Sequence, residues 1–376
     1  MDLPTLEKIV SKHMILQDRG IIKLLCSFIL ACRLPVRGPW LFLVSASSNG
    51  KSMLLESLQG CNLIHVVDDL TPSTLASGMK GQDGKSNSLL NELKNNSVIV
   101  IKDFTTILSK DKDAQKTIIG QLRKVYDGDF VKRFGNGQSV DWKGKISIIA
   151  GVTSKVHTTM YQLADMGERF IMVTMEAPDR EEQGMLATAN LDTAAKIAEM
   201  RTAFTEFIDG FKIPEKMFEI DEDTRRTFVQ LAEFTTKARS VVERNEFSRE
   251  REIRMVHFPE MPGRFATQLL VLAGGYMTIN NSQTLTGDDR KMLYKVCLDS
   301  IPYIRRLSLQ ALTEYKEVET ASLAVHLKYP VNTLRFHLQD LAALKVIDYT
   351  KEKSRDTWRL HDNYRELMAR YEGIKM

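Results

Sequence analysis

Residues Asn49-Gly50-Lys51-Ser52 carry the strongest chemical signal in the chain. They follow the apolar run Leu41-Phe42-Leu43-Val44 and precede the helix-like stretch Met53-Leu54-Leu55-Glu56-Ser57-Leu58. Strand, small-residue loop, Gly-Lys-Ser and helix together form the layout of a phosphate-binding loop, or P-loop. Small residues let the backbone curl until its N–H groups point inward at phosphate oxygens, and the helix N-terminus adds the positive end of its dipole. The predicted nucleotide contacts are Ser47, Ser48, Asn49, Gly50, Lys51, Ser52 and Met53. In such a loop Lys51 reaches the β- and γ-phosphates of ATP, and Ser52 places its hydroxyl on Mg²⁺. The full pattern G-x-x-x-x-G-K-[ST] has glycine where this chain has Ser45.

A second strand end supplies a carboxylate. Ser97-Val98-Ile99-Val100-Ile101-Lys102-Asp103-Phe104 is an apolar run closing on an acid, about fifty residues after Lys51. This is the place of a Walker B motif, whose usual ending is Asp-Glu: one acid for the metal, one to polarise water. Here the pair is Lys102-Asp103, so Asp103 stands in the glutamate slot and serves as metal ligand, as base, or as both. Three further polar residues punctuate the chain beyond it. Thr153 ends the run Ile146-Ser147-Ile148-Ile149-Ala150-Gly151-Val152, Arg169 begins the run starting at Phe170, and Arg264 follows the turn Pro262-Gly263.

The elements that must position these groups follow from apolar periodicity. Runs of buried-strand length lie at about 41–45, 62–67, 97–102, 146–151 and 170–175, with helical stretches between most of them. That alternation predicts an α/β fold with a parallel, three-layer sheet. Residues 5–34 read as helices that end at Pro35 and Gly38-Pro39. From about 178 the pattern is helical up to the C-terminal segment, and the charge-dense stretch 243–254 reads as a solvated helix face or connector. The predicted organisation is a helical segment 1–36, an α/β nucleotide-binding core 37–178, a helical lid and connector 179–300 and a small domain 301–376.

Composition narrows the class. A chain of 376 residues holds two or three domains, and 43% hydrophobic with 27% charged residues is ordinary for a globular protein. A net charge of +4 permits nucleic acid as a partner without demanding it. Cys26, Cys32, Cys61 and Cys297 are scattered with no CxxC pair, which reads as reduced thiols. The apolar stretch 21–34 is too short to span a bilayer, and the first residues lack the basic region of a signal peptide. The expected location is the cytoplasm, with no membrane partner.

The order P-loop, Asp103, Thr153, Arg169, Arg264 resembles the AAA+ ATPases over about residues 30–300. The resemblance implies ATP and Mg²⁺ as cofactors, the metal being held by Ser52 and Asp103, and a ring, a hexamer in the first instance. Thr153 would be the first sensor, orienting water against the γ-phosphate; a helix cap is its other reading. Arg169 would be the arginine finger reaching a neighbouring subunit's γ-phosphate, or else a plain surface ion pair. Arg264 would be the second sensor, or an ordinary surface arginine.

Two more segments point toward DNA. Residues 126–142 contain two short strands flanking Gly135-Asn136-Gly137, a hairpin signal, with Lys132 and Arg133 just before the tip. It is similar to the pre-sensor-1 hairpin of helicase clades such as superfamily-three and minichromosome-maintenance helicases. There, basic hairpin residues track the phosphate backbone; Phe134 and Trp142 stack on bases or pack under the hairpin, and a decorative surface hairpin is the bland alternative. The runs Leu122-Arg123-Lys124-Val125-Tyr126-Asp127-Gly128, Lys102-Asp103-Phe104-Thr105 and Gly151-Val152-Thr153 are also similar to phage and mobile-element AAA+ ATPases. Residues 319–327 and 331–344 read as two helices around Tyr329-Pro330, followed by strands at 346–349 and 357–360. That order resembles a winged helix, which places Asn332, Thr333 and Arg335 toward a major groove and Lys351, Lys353 and Arg355 toward phosphates; docking a protein is its other use.

The expected function is an ATP-hydrolysing ring motor on single-stranded or duplex DNA, a helicase or translocase. An ATP-switched DNA-binding regulator or loader without unwinding is the alternative.

Overall fold

Five apolar runs become the strands of one parallel sheet. In a computed structural model that describes residues 1–80, 86–157, 169–245, 248, 250–352 and 355–372, these are β1 Trp40–Val44, β2 Ile64–Val67, β3 Ser97–Ile101, β6 Ile146–Val152 and β7 Phe170–Thr174. Between β3 and β6 lie β4 Asp129–Arg133 and β5 Ser139–Lys143, which pair only with each other as an antiparallel hairpin. The sheet order is β2-β3-β6-β1-β7, so β6 runs between β3 and β1, with Val98 beside Ser147 and Leu41 beside Ile149. Every residue of β1, β3 and β6 is buried, as expected for strands covered on both faces.

The helices are α1 Leu3–His13, α2 Gly20–Arg33, α3 Lys51–Glu56, α4 Lys112–Asp127, α5 Arg180–Ala189, α6 Thr193–Asp209, α7 Glu222–Arg239, α8 Gly263–Asn280, α9 Gly287–Asp299, α10 Tyr303–Glu314, α11 Thr320–Leu327, α12 Val331–Ala343 and α13 Asp362–Glu372, with several single turns besides. One sheet face presents Trp40, Phe42, Ile99, Ile101, Ile148 and Phe170 to Ile118, Leu122 and Val125 of α4. Phe42 and Phe170 stack at 3.8 Å there, and Phe104 meets Phe42 at 5.1 Å. The alternate residues face α2 and α3. Helix α2 is apolar nearly all round because it is buried nearly all round. Its Lys23 is accommodated by Asp289 at 2.6 Å and the Asn280 amide oxygen at 2.9 Å.

The described chain forms two compact units: Met1–Ile220 with Gln268–Met292, and Asp221–Thr267 with Leu293–Met376. The second holds α7, the C-terminal elements and a strand pair, β8 Val242–Arg244 and β9 Ile253–Val256. This pair places strand at both ends of 243–254, which corrects the helix-face reading and leaves the connector reading untouched. Strand β9 is exposed along its whole length, so no inward–outward alternation marks it in the sequence. In the same unit α11, a turn and α12 lead into β11 Ile347–Glu352 and β12 Arg355–Leu360, and β10 Val318–Glu319 completes a three-stranded antiparallel sheet. Leu334, Leu338 and Leu341 turn the apolar face of α12 inward.

All four cysteines are buried and none forms a disulfide. No helix among the described residues is long and apolar enough to cross a membrane.

Candidate functional site

The loop after β1 curls at two left-handed residues, Ser48 with φ 62° and Gly50 with φ 75°. Ser45, where the pattern has glycine, is not among the positive-φ residues, and its hydroxyl donates to the Ala46 carbonyl at 3.0 Å. The conformational need for glycine is thus met further along the loop, at Gly50. The Asn49 amide donates to the Glu176 carbonyl just past β7, fixing the loop on the sheet.

Ala46 through Met53 line a cavity of about 330 Å³, and the other two residues that line it are Asp103 and Thr153. Every predicted nucleotide contact therefore stands together with the predicted acid and the first predicted sensor. Residues 102 and 103 continue β3 and Thr153 follows β6, and because these strands pair in parallel their ends emerge side by side.

Lys51 is the electrostatic centre. It is only 7% exposed, and its ammonium donates to the Val152 carbonyl at 2.8 Å. Burial lowers its pKa, and the Asp103 carboxylate opposes that shift. Asp103 accepts the Thr105 backbone N–H at 2.9 Å, which fixes its carboxylate at the cavity rim. The Thr153 hydroxyl oxygen is buried with no hydrogen-bond partner. It therefore does not cap the turn that follows, where Val156 N–H donates to the Thr153 carbonyl instead. Lys102 is absent from the cavity lining: its ammonium pairs with Asp68 at 2.6 Å and Glu56 at 3.6 Å. Asp103 is thus the only carboxylate among the described lining residues.

Gly151, part of a strand end similar to phage-type ATPases but with no predicted site role, shapes the cavity. A Cβ there would stand 2.4 Å from the Lys102 carbonyl oxygen and 3.0 Å from Cδ of Lys51. Glycine lets β6 approach β3 and leaves room for the lysine stem. The signal was present, since a glycine inside an apolar strand marks a close backbone approach.

The remaining predicted residues lie elsewhere. Arg169 is 6% exposed; its guanidinium bonds both Asp127 carboxylate oxygens, at 3.1 and 3.2 Å, and lies 5.2 Å from the Tyr126 ring. It does not line the Lys51 cavity. Arg264 belongs to the second unit and pairs with Glu260 at 2.9 Å. In the β4–β5 hairpin Lys132 and Arg133 alternate, so they face opposite sides; Lys132 lies 5.0 Å from the Phe134 ring, while Arg133 is exposed. Phe130, Val140 and Trp142 are buried beneath the hairpin. On α12, Asn332 is exposed and Thr333 and Arg335 are partly so, with Arg335 paired to Asp356 at 3.5 Å. Lys351 and Arg355 are exposed on β11 and β12; Lys353 lies outside the described residues.

No protein-family model matches the chain, and comparison with curated protein sequences finds no relative.

Proposed function

We propose that the Lys51 cavity binds ATP and that the chain is an ATPase of the AAA+ type acting on DNA, with a C-terminal winged helix. One observation carries this reading: a buried ammonium whose partner is a single backbone carbonyl shares a cavity with a lone carboxylate and an unpartnered buried hydroxyl. A partly desolvated cation hydrogen-bonded to no anion and a hydroxyl buried without a bond are both costly, and both costs are relieved by a polyphosphate.

The donor set fits a nucleotide with Mg²⁺. Ser52 and Asp103 would hold the ion, and one carboxylate suffices because Mg²⁺ takes its other ligands from phosphates and water. When bound, Mg²⁺ neutralises charge on the phosphate oxygens. Lys51 trades the Val152 carbonyl for the β- and γ-phosphates. Asp103 and the Thr153 hydroxyl orient the attacking water, with Asp103 accepting its proton. Arg169 acts across a subunit interface once released from Asp127, and Arg264 reports the γ-phosphate. Lys132, Arg133 and the exposed end of α12 contact DNA.

The lone carboxylate also supports a slower protein. With Lys102 directed to Asp68 and Glu56, the described lining residues include no second acid to divide metal and base roles. An ATP-switched DNA-binding regulator is the corresponding second reading. Steady-state hydrolysis by wild type and Lys51→Ala, with and without single-stranded and duplex DNA, separates the two. DNA-stimulated turnover lost in the variant supports the motor, tight ATP binding with negligible turnover supports the switch, and neither binding nor turnover refutes both.

A further inference from the structure

The strand pair β8–β9 is fastened to α12 chiefly through Arg244, with the Arg251 guanidinium 6.0 Å from the Phe336 ring. Arg244 bonds Asp340 from Nε at 2.9 Å, the Gln339 side-chain oxygen at 3.3 Å and the Phe336 carbonyl at 2.8 Å, and its guanidinium lies 5.0 Å from the Phe336 ring. Asp340 is held from the other side by Arg305 of α10 at 2.9 Å. Arg244 also bonds the Arg251 carbonyl at 2.7 Å, which ties the β8 side of the pair to the chain entering β9. The anchor is internal to the second unit, and Asp340 is its buried hub.

This attachment leaves a groove of about 740 Å³ along α12. Asn332, Arg335 and Gln339 line it from the helix, and Glu250, Glu252 and Ile253 line it from the strand pair. The helix face assigned to DNA therefore looks onto two exposed carboxylates. A major groove about 12 Å wide admits a helix about 10–12 Å across and little more. Phosphates then flank the helix on both sides, so a strand pair riding beside α12 meets the backbone sterically, and on the groove side its Glu250 and Glu252 add like charge, the exposed Arg251 and Arg254 of the same segment lying outside the groove lining.

We infer that β8–β9 is an autoinhibitory guard: docked through Arg244, it holds duplex DNA off α12, and duplex binding requires it to leave the helix. The inference rests on the reading of α12 as a DNA contact. Duplex affinity is the test, measured by fluorescence anisotropy on the full chain as wild type, Arg335→Ala and the double variant Glu250→Gln/Glu252→Gln. Both glutamates are exposed, so the double variant leaves the fold intact. The guard predicts duplex affinity about threefold or more above wild type in the double variant, a gain that shrinks as salt is raised. The DNA reading of α12 predicts a loss of about fivefold or more in Arg335→Ala. A loss in Arg335→Ala with no gain in the double variant overturns the guard and leaves the helix as a DNA contact. Unchanged affinity in Arg335→Ala overturns the reading of α12, and the guard with it.

Discussion

Replacing Thr153 by valine separates function from stability, because the two are expected to move in opposite directions. The Thr153 hydroxyl is buried and unpartnered in the free protein. Leaving such a group unbonded costs about 1–3 kcal/mol, whereas valine keeps the shape and removes the polar atom. Part of that cost is already relaxed in any real cavity, so a gain of about 1 kcal/mol is the working figure. The unit that carries Thr153 spans Met1–Ile220 and Gln268–Met292, and in a body of that size about 1 kcal/mol raises the unfolding midpoint by roughly 2–4 °C. Turnover falls at the same time: an attacking water that loses its orienting hydroxyl reacts roughly 10- to 100-fold more slowly. ATP affinity changes little, since the lysine and the loop are untouched. Differential scanning calorimetry without nucleotide and single-turnover hydrolysis with it are the assays. A lowered midpoint refutes the unpaired hydroxyl, and unaltered turnover removes Thr153 from the chemistry.

Gly151→Ala is expected to cost about 2–3 kcal/mol and to weaken ATP binding more than about tenfold, because the added carbon meets the Lys102 carbonyl and the Lys51 stem; a variant as stable and as tight-binding as wild type contradicts that packing. Arg169→Ala is expected to lose turnover and to regain part of it when mixed with Lys51→Ala, as sites shared between subunits require; no rescue reduces Arg169 to its Asp127 pair. The second unit is expected to weaken in mild acid. Burial, then the Arg305 charge, depress the pKa of His337 from 6.5 to about 4, with Asp340 opposing and Arg244 adding to the shift. Between those values the unfolded chain binds a proton that the folded one refuses, so stability rises with pH through this window and is lost as pH falls through it, by up to about 3 kcal/mol. Denaturant titrations from pH 7 to pH 4 on wild type and His337→Gln check this; an equal loss in both excludes the histidine as its cause.

The five strands of the parallel sheet were legible because each is a buried apolar run, and Lys51, Asp103 and Thr153 were legible because each stands at the end of one. Their order in the sheet was not: runs apolar on both faces name no neighbour, so the placement of β6 between β3 and β1 came from the fold. The pairings that redirect charged side chains were equally silent. Nothing local to Lys102 points to Asp68 and Glu56, and Asp127 lies forty-two residues from the Arg169 it holds. The β8–β9 pair is masked in the sequence because charge alternation dominates 243–254 and the apolar residues of β9 are exposed. The Arg244–Asp340 contact that anchors it spans ninety-six residues.

Equilibrium titration of wild type and Lys51→Ala with ATP and Mg²⁺ by calorimetry tests the central claim most directly. Wild type is expected to bind saturably, with binding weakened about 100-fold or more in a variant that keeps its folded circular-dichroism spectrum, as for loss of a buried ammonium–phosphate contact. Folded wild type that takes up no ATP, or a variant that binds as tightly as wild type, would contradict the assignment of the Lys51 cavity as the nucleotide site.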